Sequence, residues 1–372
     1  MDTYEELLSW ATERGIKLSG IKPQNILSRG TGIIATRDIQ AGETILFVPF
    51  KLFRTLKHVP KAISRRLPRN MSLHALLATY LSLDKTDTFA IPNKTLPDLS
   101  SFEAGMPFLW PAELHPFLPK PALDLLMKQQ RSFKRDWDIV SKAYSNISQD
   151  QYLHAWLLVN TRSFYCTTPI MERLPHDDRL AILPVADLFN HADVGCEARF
   201  ASENYSFIAD RDYRTGEELH ISYGSHSTDF LLTEYGFVPT ENCWDVVCLD
   251  EAILPRLTQD QKDALKDRGF LGKYILDPKT GGCFRTQVAL RMLCCTREEW
   301  EQFVDFEAGE EFAPRVRGTL KGILDSFVET IQKTVVDVEK LDVGRVEQRE
   351  ALVRRWRQIE RTVVETMEGL ES

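Results

Sequence analysis

The sequence predicts an α+β protein: a β-rich core of short strands and hairpins that carries a helical insert, followed by an all-α C-terminal domain. Three observations point there. Short apolar runs punctuated by Gly and Asp turns occur near 33–48 and again at 196–223. Between them, residues from about 55 to 160 carry helical periodicity broken by prolines. Beyond about 241, apolar residues recur every three or four positions.

In chain order, residues 3–14 read as a short amphipathic helix, with Leu7, Leu8 and Trp10 among Glu5, Glu6 and Glu13. A Gly-punctuated segment, Arg29-Gly30-Thr31-Gly32, precedes a strand at Ile33-Ile34-Ala35. Asp38 to Glu43 turns the chain, and Thr44 to Val48 forms a second strand ending at Pro49. Ser72 to Leu83, Pro121 to Ala143 and Asp150 to Val159 read as helices. Pro92, Pro97, Pro107, Pro111, Pro116 and Pro119 interrupt the stretch between the first two. Strand character returns at 196–223, with a turn at Arg211 to Glu218 and then Leu219-His220-Ile221-Ser222-Tyr223. This segment echoes the first hairpin at a constant offset of 174: Ala35, Arg37, Asp38, Gly42 and Glu43 return as Ala209, Arg211, Asp212, Gly216 and Glu217. The echo fits either an internal repeat or two independent Asp/Gly turns. Val316, Leu320, Ile323, Phe327, Ile331 and Val335 then mark one long helix, and Leu352, Trp356, Ile359 and Val363 a second. The expected division is a first domain at 1–240, with its insert at about 55–160, and a helical second domain at 241–372.

Composition bounds the function. With 372 residues, 43% apolar and 27% charged, the chain can bury a substantial core. Its net charge of -8 disfavours a protein devoted to gripping nucleic acid, so no direct nucleic-acid partner is expected; it suits a basic partner. Seven scattered cysteines, an odd number, read as reduced thiols. The first residues, Met1-Asp2-Thr3-Tyr4-Glu5-Glu6, are acidic rather than leader-like, and Ile45-Leu46-Phe47-Val48 is far too short to span a bilayer. No membrane association is expected, and cytoplasm or nucleus is the expected location. The cysteines form no Cys-x-Cys cluster and the histidines no His-x-x-x-His pair, so no metal is expected.

Three segments carry candidate chemistry. Arg29-Gly30-Thr31-Gly32 lets backbone approach a ligand, or is simply a tight turn; it lacks the third glycine of a dinucleotide loop and the Gly-Lys-Ser/Thr of a phosphate loop. Asp187-Leu188-Phe189-Asn190-His191 sets a polar trio among apolar residues, which either binds a polar ligand or ties loops together. Ile221-Ser222-Tyr223-Gly224, followed by Tyr235-Gly236-Phe237, supplies aromatic rings for a narrow channel or for core packing.

Together and in this order, Arg-Gly-x-Gly, Ala-x-Arg-Asp-Ile-x-x-Gly-Glu, Asp-Leu-Phe-Asn-His, Ile-Ser-Tyr-Gly and Tyr-Gly-Phe resemble the motifs of a SET-domain protein methyltransferase. The helical insert and C-terminal region are similar to the plant Rubisco large-subunit methyltransferase subgroup, which includes fungal ribosomal-protein lysine methyltransferases. The resemblance implies an enzyme that transfers methyl from S-adenosylmethionine to a protein lysine, with a ribosomal or other cytosolic or nuclear protein as the expected substrate. It also implies roles. Arg29, Gly30 and Thr31 would offer backbone to the cofactor, and Asn190 and His191 would hold its amino-acid and adenine ends. Tyr235 would pack beside it. Arg162 would lie near both cofactor and acceptor. Thr161, Asp187, Tyr223 and Phe237 would line the acceptor side, with Tyr223 the catalytic residue.

The chemistry is consistent. A sulfonium donor suits aromatic faces and oxygen dipoles. The acceptor amine must be neutral, whereas free lysine has a pKa of about 10.4; a dry aromatic tunnel lowers it. Tyr223 would orient the amine lone pair without serving as base, since its own pKa is about 10. One departure concerns substrate choice: Cys166 stands where the plant enzyme has an arginine thought to contact its substrate. Two other readings stand beside the lysine enzyme: a histidine ring nitrogen as acceptor on the same architecture, and a non-catalytic peptide-docking SET fold.

Overall fold

Nine strands organise the first part of the chain: β1 (Lys17–Leu18), β2 (Ile21–Ile26), β3 (Gly30–Ala35), β4 (Thr44–Pro49), β5 (Ser163–Tyr165), β6 (Leu180–Ile182), β7 (Asn190–Ala201), β8 (Asn204–Ile208) and β9 (Glu218–Ile221). In this computed structural model the described residues are 3–27, 29–201, 203–277 and 281–371. Met1 and Asp2 of the acidic N-terminal stretch therefore lie outside them. Seven strands form one sheet in the order β1-β4-β8-β7-β9-β3-β2, while β5 and β6 pair separately. All neighbours in the large sheet are antiparallel except β7 and β9, which run parallel. Strand alternation buries Ile33, Ala35, Ile45, Leu46, Phe207, Leu219 and Ile221 in one core with Leu7, Trp10, Phe53 and Phe189.

The offset of 174 reflects a structural duplication. Each turn grips the other. The amide of Thr215 donates to Asp38 at 3.0 Å, and the amide of Ala41 donates to Asp212 at 2.8 Å. Gly42 donates to Ala209 O and Gly216 to Ala35 O, each at 2.8 Å. Within each turn an arginine holds a glutamate, Arg37–Glu43 at 2.7 Å and Arg211–Glu217 at 3.2 Å. Gly42 and Gly216 sit at φ +85° and +89°, where a side chain is strained. The recurring Arg, Asp, Gly and Glu are thus the parts of two mutually locked turns. Thr215 hydrogen bonds hold the Asp38 carboxyl below its usual range, so this lock is present at neutral pH and loosens as acid protonates it.

The insert folds as its pattern requires. Ser72 caps the helix Leu73–Leu83, accepting from the Ala75 amide. Helix Lys120–Ala143 and helix Gln149–Arg162 follow. The second starts earlier than expected because Ser148, not Asp150, is the cap, in a box with Gln151. It also runs further, so Thr161 and Arg162 occupy its last turn. Strands β2, β5 and β6 carry too little alternation to be read from sequence. Asn190 and His191, expected ahead of the returning strand, open it.

By compactness the described chain divides into Met1–Phe102 with Lys128–His226, and Glu103–Met127 with Ser227–Ser372. The second unit is helical apart from a two-stranded ladder, Val247–Cys248 with Ile275–Leu276. Helices Ala313–Lys340 and Val346–Glu371 realise the two apolar stripes and bury Ile323, Phe327, Ile331, Trp356 and Val363 together. Arg355, fully buried, binds Asp229 in a two-pronged pair at 2.7 and 3.1 Å and Asp245 at 2.5 Å. No helix among the described residues is long and apolar enough to cross a membrane.

Candidate active site

The parallel pairing of β7 with β9 builds the centre of the site. Asn190 stands opposite His220, and His191 opposite Ile221. The chain then bulges out and returns with Cys196 also opposite Ile221. Gly195 permits the return, because a Cβ there would lie 2.4 Å from His220 O.

On β9, Leu219 and Ile221 point into the core, so Glu218 and His220 face the other way. Glu218 accepts from Asn190 Nδ2 at 2.7 Å and from Arg29 at 3.1 Å, and lies 3.4 Å from His220 Nε2. The backbone of Gly32 runs against this group. A Cβ on Gly32 would sit 2.6 Å from the Glu218 carboxylate and 2.9 Å from Asn190 Nδ2. Gly30 turns the hairpin at φ +76°, and the hydroxyls of Thr31 and Tyr4 lie 2.7 Å apart. These contacts make a polar cradle with one cationic and one anionic side chain.

Beside it, the Tyr223 amide donates to His191 Nδ1 at 3.1 Å. Nδ1 therefore carries no proton, and the neutral ring bears its hydrogen on Nε2, 3.7 Å from Asp193. Burial, only partly opposed by Asp193, lowers the His191 pKa and keeps the ring neutral at pH 7. The rings of His191 and Tyr223 are 5.1 Å apart. The Tyr223 hydroxyl donates to Phe189 O at 2.7 Å. Burial pushes this phenol up to about 12, with Asp187 and Glu218 adding to the rise and Arg162 opposing it.

Arg162 comes from the end of its helix and donates to Asp187 O at 2.6 Å, with the two charged groups 3.9 Å apart. Burial raises the Asp187 pKa, and Arg162 counteracts it. Arg162 Nε is buried without a hydrogen-bond partner among the described residues. Just ahead of Asp187, Val185 adopts φ +73°, ψ −44°. A β-branched residue there stores on the order of 1–3 kcal/mol of strain, a feature that clusters at functional sites.

Of the residues singled out in the sequence, Arg29 and Asn190 meet at Glu218, His191 meets Tyr223, and Arg162 meets Asp187. The fields of Arg162, Asp187 and Glu218 all act on Tyr223. Thr161 turns its hydroxyl back onto Leu157 O at 2.9 Å. Tyr235 and Phe237 belong to the second unit, with their rings 6.5 Å apart. Cys166 is fully buried in the core, its thiol pushed up to about 12 by burial. Glu218 was missed as a site residue because it reads as the last residue of a turn. The period of two in Glu218-Leu219-His220-Ile221 is the signal that sets it on the site face.

A family profile for the SET domain matches residues 30–224, more than half of the chain. The chain belongs to the SET-domain family. A second profile, the C-terminal domain of ribosomal lysine N-methyltransferase 2, matches residues 245–369. Ribosomal lysine N-methyltransferase 2 of Saccharomyces cerevisiae is 29% identical over 211 residues, which is 50% of this chain and 43% of that protein. Actin-histidine N-methyltransferase of Canis lupus familiaris is 24% identical over 329 residues, 81% of this chain and 55% of that protein. The SET chain thus spans about half the length of these two relatives. Among solved structures, the SET domain of Rubisco LSMT bound to lysine and AdoHcy superposes with a TM-score of 0.66 at 16% identity, covering 99% of this chain and 91% of that one. At that identity the likeness establishes the shared fold.

Proposed function

We propose that this SET protein is an S-adenosylmethionine-dependent protein-lysine N-methyltransferase, with a ribosomal protein as the substrate class. The observation that carries the reading is the meeting of a cationic–anionic cradle at Arg29, Asn190 and Glu218 with a half-buried phenol at Tyr223 whose proton goes to Phe189 O. The residues fit the cofactor: a zwitterionic amino-acid end matches the paired charges, and the buried, unpartnered Nε of half-buried Arg162 offers a donor for a carboxylate. Gly32 leaves the space. Asn190, His191, Arg29, Gly30 and Thr31 would hold the cofactor. Asp187, Thr161 and Arg162 would line the acceptor side. When bound, the cofactor supplies an electrophilic methyl on sulfur, which needs no Lewis acid.

Tyr223 does the positioning. Its hydroxyl proton goes to Phe189 O, and a phenol oxygen that donates in one direction can accept from an amine N–H in another. Accepting from one amine N–H turns the nitrogen lone pair toward the methyl group, and alignment of this kind can supply roughly 7–11 kcal/mol. A phenol at about 12 stays protonated at neutral pH and does not act as base. We assign catalysis to residues 1–240, with the insert at about 55–160, and substrate binding to 241–372, in the cytoplasm or nucleus. A histidine acceptor is the second reading, favoured by the actin-histidine relative.

The test is transfer of tritiated methyl from the cofactor to fractionated cell protein, with mass spectrometry of the labelled residue. Methyl-lysine on a ribosomal protein is the expected result, and methyl-histidine selects the second reading. A folded protein that transfers nothing to any fraction overturns both and leaves a docking module. Gly32→Ala is expected to weaken cofactor binding about ten-fold or more by calorimetry, since overpacking costs about 1–3 kcal/mol. Unchanged affinity would remove the cradle from the cofactor site.

A further inference from the structure

The net charge of -8 conceals a strong local reversal. Between Glu43 and Asp84 the chain carries seven Lys and Arg residues and no Asp or Glu. One of them, Arg54, is buried and paired with Asp84 at 3.0 Å. The other six, Lys51, Lys57, Lys61, Arg65, Arg66 and Arg69, are all exposed. None of the six has a carboxylate partner among the described residues, although arginines elsewhere in this unit are regularly paired, as at Arg37–Glu43, Arg199–Glu197 and Arg211–Glu217.

The C-terminal end of helix Lys120–Ala143 packs against this segment. Arg66 donates to Ala143 O at its end and lies 4.3 Å from the Tyr144 ring, and Tyr144 OH donates to Ile63 O at 3.1 Å. Along that helix Lys128, Arg131, Lys134 and Lys142 are exposed and step by three or four, with Asp138 the acidic member of the stripe. Exposed like charges along a stretch with no acidic residue repel one another, so the arrangement carries an electrostatic cost in an otherwise acidic protein. The closely spaced phosphates of a nucleic-acid backbone remove it.

We propose that this face docks the phosphate backbone of RNA. A protein partner is the poorer fit. Protein interfaces centre on exposed aromatic and aliphatic anchors, and no large apolar side chain is exposed between 51 and 69 or between 128 and 142 among the described residues. Charge without an apolar centre is the signature of phosphate recognition. The choice of RNA over DNA rests on the proposed reading of the enzyme, because a ribosomal protein is met in an RNA-bearing particle. The proposal departs from the expectation of no nucleic-acid partner, because summed charge is a poor guide when opposite charges are segregated.

The experiment uses the full chain without cofactor and a fluorescein-labelled RNA hairpin with a duplex stem of about 20 base pairs, read by anisotropy across a salt series. Binding should weaken steeply with salt. Lys61→Ala, Arg65→Ala and Arg69→Ala combined should lower affinity at least ten-fold and flatten the log–log salt slope by about 2 to 3, close to 0.9 per lost phosphate contact. A second variant on the helix stripe, Lys128→Ala with Arg131→Ala, should weaken binding in the same direction, and polyglutamate should not compete. Absence of binding at low salt, wild-type affinity in both variants, equal binding of a DNA duplex, or displacement by polyglutamate overturns the proposal. Methyl transfer to protein is measured separately, so RNA binding without transfer sinks only the enzyme reading, and transfer without RNA binding sinks only this one.

Discussion

Tyr223→Phe is expected to slow methyl transfer about a hundred-fold, a loss typical of misplacing reacting groups or deleting one positioned polar contact. The cofactor KM should stay within a few-fold. The reason for the split lies in what the hydroxyl touches. Its hydrogen goes to Phe189 O at 2.7 Å, and the backbone amide of the same residue holds His191 Nδ1 at 3.1 Å. Phenylalanine keeps the amide, and with it the orientation of His191. Only the oxygen is lost, and with it the hydrogen-bond acceptor proposed for the incoming amine. Single-turnover rates at saturating cofactor check this, together with mass spectrometry of product multiplicity, since a site relieved of the hydroxyl has room for a bulkier, already methylated amine. A variant that transfers at the parental rate would remove Tyr223 from the acceptor site. The pH dependence separates positioning from base catalysis. With the phenol pushed to about 12 by burial, ionisation of Tyr223 contributes no limb to the rate profile at physiological pH. Any rise with pH across that range belongs to the substrate amine.

How far the sequence foretold this site depends on the kind of signal. The core helices and the hairpins were legible because burial imposes periods of 3.6 and 2, and because Ser72 and the Gly42 and Gly216 turns punctuate them. Tyr223, Asn190 and His191 were legible as an ordered set of motifs. Glu218 was not, since its importance comes from a parallel pairing between strands about thirty residues apart, and nothing local marks a carboxylate as the partner of Asn190 and Arg29. Val185 was equally silent, for a strained backbone has no composition of its own. The early start of helix Gln149–Arg162 was missed because the cap is Ser148, one turn signal earlier than Asp150. For Glu218 the unread part is a tertiary contact; for the helix start it is a choice between two neighbouring caps.

The largest expected loss of stability comes from the second unit. Arg355→Met should destabilise it by about 3–5 kcal/mol, the range for removing one partner of a buried ion pair. The side chain is fully buried and serves two carboxylates, Asp229 through both prongs and Asp245 through one, with Val246 O at 3.4 Å. Burial alone would pull the guanidinium pKa down, but the two aspartates together hold it above its ordinary value. Methionine preserves much of the volume and strands two acids, one of them 3% exposed, with no counter-charge. Asp245 has a second duty, accepting the Thr228 amide at the start of helix Thr228–Tyr235. The disturbance should therefore spread to that helix, and hydrogen exchange should quicken in 228–235 as well as around 355. Lysine at 355 restores charge but not the fork, and should recover only part of the loss. Combining Arg355→Met with Asp229→Asn should be less damaging than Arg355→Met alone, because the second change removes the stranded charge rather than a further contact. If the single variant unfolds at the parental temperature, or if the double is additive and worse, the triad is not what holds this end of the final helix.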